Sequence, residues 1–108
     1  MKFDDYQKFT KTTAMYPKTH TFPYLTIGLA GEAGEVAEKV KKVIRDKGGK
    51  MDQETRNLLA LELGDVLWYL ARFADELKFK MSDIAHLNKQ KLLSRKKRGR
   101  IKGSGDLR

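Results

Sequence analysis

The chain has 108 residues, no cysteine and a formal net charge of +9. That length makes a single domain with a modest core, and the lack of cysteine excludes a disulfide framework or a zinc–thiolate site. No apolar run is long enough to cross a bilayer and no signal-peptide pattern is visible, so a cytoplasmic protein without a membrane partner is expected.

The charge is unevenly placed. Residues 89–108 hold nine basic side chains and one acid, a net of +8, whereas residues 1–88 hold 14 bases and 13 acids, a net of +1. The body is nearly neutral and the basicity belongs to its end. Three readings fit such an end: a solvated, frayed tail, a polyanion contact, or the part of a small-molecule site that holds phosphates. The division adopted is a helical body, 1–98, and a basic glycine-containing tail, 99–108.

Hydrophobic periodicity predicts an all-α fold of four helices, with no strand and no repeat. The first runs from Asp4 to about Ala14. After a loop containing Tyr16, Pro17 and His20, Thr21 is a candidate N-cap for the second, with Pro23 in its first turn where a missing N–H costs nothing. That helix runs to about Asp46 and stops at Gly48-Gly49. Asp52 caps the third, which extends to about Lys78, and Ser82 is the expected cap of the fourth, which ends near Lys97. Gly99, Gly103 and Gly105 argue against any further regular element.

At about 100° per residue, helix two is expected to bury Leu29, Ala33, Val36, Val40, Val43 and Ile44 as one apolar stripe. Glu32 lies at its edge, Glu35 is one turn along the same flank, and Lys39 falls between them in angle. Glu38 points further outward and reads as a surface acid. Helix three has the stripe Leu59, Leu63, Val66, Leu70, Phe73, Ala74 and Leu77, with Glu62 and Asp65 at its edge and Tyr69 beside Glu62. Four acids beside packing faces are partly desolvated and repel one another, and a shared divalent cation relieves both costs. All-oxygen donors, with no Cys and no His in either motif, favour Mg²⁺ or Mn²⁺ over Zn²⁺. The competing reading makes them solvated acids paired with Lys39 and Lys42.

Gly31, Gly34 and Gly64 immediately precede Glu32, Glu35 and Asp65, and each costs up to ~1 kcal/mol in a helix interior relative to Ala. Close approach of a neighbouring helix or of a ligand explains them equally well. On the fourth helix Asn88, Lys91 and Arg95 share a face with Ile84, a polar continuation that suits an anion or a partner subunit. Trp68 projects to the outer side of helix three, as for a subunit interface. His20 and His86 match no ligand spacing.

The segments Leu29-Ala-Gly-Glu-Ala-Gly-Glu-Val-Ala-Glu38 and Leu61-Glu-Leu-Gly-Asp-Val-Leu-Trp-Tyr-Leu70, together with Asn88-Lys-Gln-Lys-Leu92 and Gly103-Ser-Gly-Asp106, resemble the MazG-like all-α nucleoside triphosphate pyrophosphohydrolases. Many members begin the first motif with two adjacent acids, where Gly31 takes the earlier position here. The resemblance implies a four-helix unit over residues 1–98 that assembles with a second subunit into a helical bundle, as a homodimer or homotetramer. It also implies Mg²⁺-dependent cleavage of a (deoxy)nucleoside triphosphate between the α- and β-phosphates, cleansing or shaping a nucleotide pool. Glu32, Glu35, Glu62 and Asp65 would hold metal and do the catalytic work; Lys39, Tyr69, Asn88, Lys91 and Arg95 would contact nucleotide. A related activity on dUTP or phosphoribosyl-ATP is the runner-up within the enzyme class. From a different class, the basic tail alone supports a helical nucleic-acid-binding module, with a steep salt dependence.

Overall fold

A computed structural model describes residues 1–108 as four α-helices without strands: α1, Phe3–Lys11; α2, Thr21–Lys47; α3, Gln53–Glu76; and α4, Met81–Lys97. The all-α expectation holds. A single 3-10 turn, Lys18–His20, leads into α2. The first helix ends at Lys11, three residues short of expectation, and α3 ends at Glu76, two short. Lys78 takes a left-handed φ of 67°, which lets the Phe79 N–H reach the Ala74 carbonyl at 2.9 Å and close the helix end.

The long helices α2 and α3 form an antiparallel hairpin. Its register follows from pairs across it: Gly28 meets Tyr69, Glu32 meets Asp65, Lys39 meets Glu62, and Lys47 meets Thr55. The turn is built by local chemistry. Gly48 is left-handed, φ 59°, and the Gly49 N–H returns to the Val43 carbonyl at 3.1 Å. Asp52 then caps α3 by accepting from the Thr55 N–H at 2.8 Å, as its sequence position predicts.

The short α1 is tied down by polar groups. Buried Gln7 donates to the Phe79 carbonyl at 2.9 Å and accepts from the Met81 N–H at 3.0 Å, so it satisfies orphan groups at the α3–α4 junction. Buried Arg72 donates to Thr10 Oγ1 at 2.9 Å and to Asp75 at 2.8 Å. Asp4 accepts from both N–H and Oγ of Ser82, at 3.0 and 2.7 Å. Ser82 is therefore inside the first turn of α4 rather than its cap. The N-cap is Lys80, because α1 delivers the acceptors that a capping side chain otherwise supplies.

Two further expectations are corrected. Trp68 does not face outward: its Nε1 donates to Thr13 Oγ1 at 2.7 Å, and its ring meets Tyr16 and Tyr69 edge-on. The α1–α2 connection lies against that side of α3 and partly covers it. The apolar stripes are also only half covered, with Ile44 at 67% and Leu63 at 56% exposure, and the buried apolar residues are Leu25, Val43, Ala71, Ala74 and Met81. The accessible surface, 8390 Å², exceeds the ~6,100 Å² expected for a compact monomer of this mass. The Cα radius of gyration, 16.7 Å, likewise exceeds the ~13 Å of a compact domain of this length.

Candidate active site

The hairpin register brings carboxylates from α2 and α3 together. Oxygens of Glu32, Glu62 and Asp65 all lie within 4.8 Å of one another, a span that one cation can bridge. Glu32 and Glu62 are half-buried and Asp65 is exposed. Burial raises the Glu32 carboxyl above its ordinary value, and the negative charges of Asp65, Glu62 and Glu35 raise it further. A cluster in which one carboxylate resists ionisation, through burial first and its acidic neighbours second, fits a divalent cation, and the all-oxygen donor set fits Mg²⁺ or Mn²⁺ chemistry.

Glu35 is exposed and stands outside the close trio, though near enough for its charge to act on Glu32. Lys39 leans across to α3, its Nζ 3.3 Å from Glu62 Oε1. Glu38 pairs with Lys41 at 2.9 Å as an ordinary surface acid. Tyr69 is half-buried beside the acids; burial raises its hydroxyl pKa first, followed by the effects of Tyr24, Glu32 and Asp65.

Among the glycines, close approach occurs at a position the motif spacing did not flag. A Cβ at Gly28 would lie 2.1 Å from Tyr69 Cε1, whereas one at Gly31, Gly34 or Gly64 would meet nothing within 4 Å. The three glycines beside the acids therefore admit no neighbouring helix within this chain and leave open backbone around the trio. Two tyrosines were also missed. Tyr24, Gly28 and Glu32 recur every four residues, so helical periodicity could have put Tyr24 at the site. Tyr6 comes from α1, and its pKa is raised by burial and then by the nearby Asp65; only tertiary packing reveals that proximity.

The residues of α4 form a separate patch. Asn88 and Lys91 line a cavity of about 240 Å³ with Ile84 and Leu87. Ile84 also borders an apolar groove of about 390 Å³ that reaches Leu29, Leu67 and Leu70 on the carboxylate-bearing helices. Helix α4 packs on α1 and α3 but not on α2, so one chain does not close Asn88 and Lys91 over Glu32. Arg95, expected on that polar face, is instead 5% exposed and donates through Nη2 to the Asp106 carbonyl at 2.9 Å.

The facing helices of the hairpin bring one carboxylate of the Glu-x-x-Glu motif and both of the Glu-x-x-Asp motif into one cluster, the donor set of a candidate divalent-cation site. Residues 20–99 match the model of the MazG nucleotide pyrophosphohydrolase domain, and the chain belongs to that family. Its similarity to one particular protein spans the whole length: the Gene 37 protein of Mycobacterium phage L5 is 48% identical over 114 residues, covering 100% of both chains. No solved structure matches. No helix is long and apolar enough to cross a membrane.

Proposed function

We propose that the chain is a Mg²⁺-dependent nucleoside triphosphate pyrophosphohydrolase that cleaves between the α- and β-phosphates, yielding a monophosphate and pyrophosphate from a cytoplasmic pool. The observation that carries this reading is the convergence of Glu32, Glu62 and Asp65 oxygens within 4.8 Å in a chain of this family. A divalent cation held by these carboxylates would neutralise charge on the triphosphate and lower the pKa of the attacking water.

The chain's own groups do the rest. Glu32, Glu62 and Asp65 would hold the cation, and Glu35 would add a fourth carboxylate for a second cation or for the water's proton. Lys39, 3.3 Å from a Glu62 oxygen, is placed to contact a substrate phosphate. Tyr69 and Tyr24 flank the base or sugar, and Asn88 and Lys91 contact the polar part of the nucleotide. A second copy of the chain covers the open apolar faces, as a homodimer or homotetramer. Surface exceeding a compact monomer's by about 2,300 Å² supports that assembly. Against the nucleic-acid alternative, Arg95 and Arg108 already donate to carbonyl oxygens of the tail itself.

The test is a panel of ribo- and deoxyribonucleoside triphosphates, canonical and damaged, incubated with the full chain and Mg²⁺. At least one should release pyrophosphate and not orthophosphate, with EDTA abolishing release. Duplex binding with no pyrophosphate release from any triphosphate would overturn the reading in favour of the alternative.

A further inference from the structure

Residues 99–108 contain no helix, yet they are fastened to α4 and to themselves. Arg95, 5% exposed, donates from Nη2 to the Asp106 carbonyl at 2.9 Å and to the Gly105 carbonyl at 3.4 Å. Arg108 closes the segment by donating to the carbonyls of Gly105 at 2.7 Å, Ile101 at 3.1 Å and Arg100 at 3.3 Å. The Asp106 carboxylate is thereby brought to the cations of α4, 3.4 Å from Lys91 Nζ and 3.8 Å from Arg95 Nη2.

The two kinds of contact differ in strength. The Arg95 side chain is 6% exposed, so its bonds to carbonyls are shielded, whereas Asp106 is 88% exposed and its ion pairs are screened by water. Arg95 is also incompletely matched: its Nε is buried without a hydrogen-bond partner. The carboxylate of Asp106 is therefore the exchangeable partner, and the carbonyl bonds of Arg95 are the durable ones. Lys91 meanwhile lines the open cavity with Asn88.

We propose that Asp106 is an internal placeholder for a substrate phosphate on Lys91, and that Arg95 is the positioning residue that pins the strap carrying it. An incoming phosphate oxygen displaces the weakly held carboxylate from Lys91, while the shielded bonds of Arg95 keep the strap in place. The inference rests on the nucleotide reading for the identity of the anion, but its chemistry requires only a multiply charged phosphate group.

The test is calorimetric titration of inorganic pyrophosphate into the full chain at fixed pH and salt, without divalent cation. Asp106→Asn should tighten binding about three- to five-fold, the size of one exposed ion pair. Lys91→Met should weaken it, and in the Lys91→Met background Asp106→Asn should gain less than two-fold. Unchanged affinity in Asp106→Asn, or an equal gain in both backgrounds, overturns the placeholder. Arg95→Lys should speed amide exchange over residues 99–108, whereas Asp106→Asn should leave it nearly unaltered; unchanged protection in Arg95→Lys overturns the pin. Because binding is read without turnover, the two ideas fail separately. Hydrolysis with unaltered Asp106→Asn affinity sinks only the strap, and the predicted gain without any hydrolysis sinks only the enzymatic reading.

Discussion

At Gly28 and Gly31 the same residue type serves two different needs, three positions apart on one helix. The Tyr69 ring lies against Gly28 and is itself held edge-on by Trp68, with ring centroids 5.0 Å apart, so it cannot swing aside cheaply. Gly28→Ala should therefore destabilise the chain by ~1–3 kcal/mol, overriding the gain in helix propensity. Gly31→Ala meets nothing within 4 Å and should stabilise the isolated chain by up to ~1 kcal/mol. Urea denaturation of the two variants separates them by sign. Lys39 yields a second prediction at this scale. Its ammonium lies 3.3 Å from a Glu62 oxygen, where it competes with any cation held by that carboxylate. Lys39→Met should tighten Mn²⁺ binding roughly two- to five-fold by calorimetry, whatever it does to turnover. Weaker Mn²⁺ binding would show that Lys39 organises the carboxylates instead of opposing the cation. Glu32, Glu62 and Asp65 were legible in the sequence because each borders the apolar stripe of its own helix. Gly28 and Tyr6 were not, since their role depends on where α3 and α1 come to rest.

The elements show why caps are harder to read than helix bodies. Asp52 caps α3 through its own side chain, a bond spanning three residues, and the sequence shows it directly. The N-terminus of α4 is satisfied by Asp4 and Gln7, more than seventy residues away in the chain. Local pattern could not reveal that, and Ser82 was mistaken for the cap that it only resembles. The arrangement has a pH signature. Hydrogen bonds from the Ser82 hydroxyl and N–H hold the Asp4 carboxyl below its ordinary 3.8, so the folded state binds this proton less readily than the unfolded state. Its stabilising contribution is therefore fully present above the unfolded pKa and is lost as pH falls through the lower folded value. Asp4→Asn should lower the melting temperature at pH 7, with the gap to the parent chain narrowing below about pH 4. A gap of constant size down to pH 2 would mean that the charge of Asp4 is irrelevant to the α1–α4 contact.

For the whole molecule, the sequence period identified which faces are apolar but not what covers them. Ile44, Leu63, Leu70 and Leu77 lie on the expected stripes and are each more than 40% exposed in the single chain. A groove lined entirely by apolar residues runs from Leu29 to Ile84, between the carboxylates and the polar patch of α4. The proposed assembly accounts for the exposed faces and for the lack of contact between α4 and α2. Light scattering should return the mass of a dimer or a tetramer, and a monomer mass independent of concentration would contradict the assembly. The α2–α3 hairpin, by contrast, was legible almost entirely from Gly48-Gly49, Asp52 and the two carboxylate motifs. The central role proposed for this hairpin is to hold a cation that promotes cleavage between the α- and β-phosphates. The most direct test follows products by ³¹P NMR after incubating a triphosphate that the chain turns over with Mg²⁺, for the parent chain and a Glu62→Gln, Asp65→Asn variant of unchanged helicity. That role predicts nucleoside monophosphate and pyrophosphate from the parent and at least a ~100-fold loss in the variant. Full activity in the variant, or nucleoside diphosphate and orthophosphate from the parent, would contradict it.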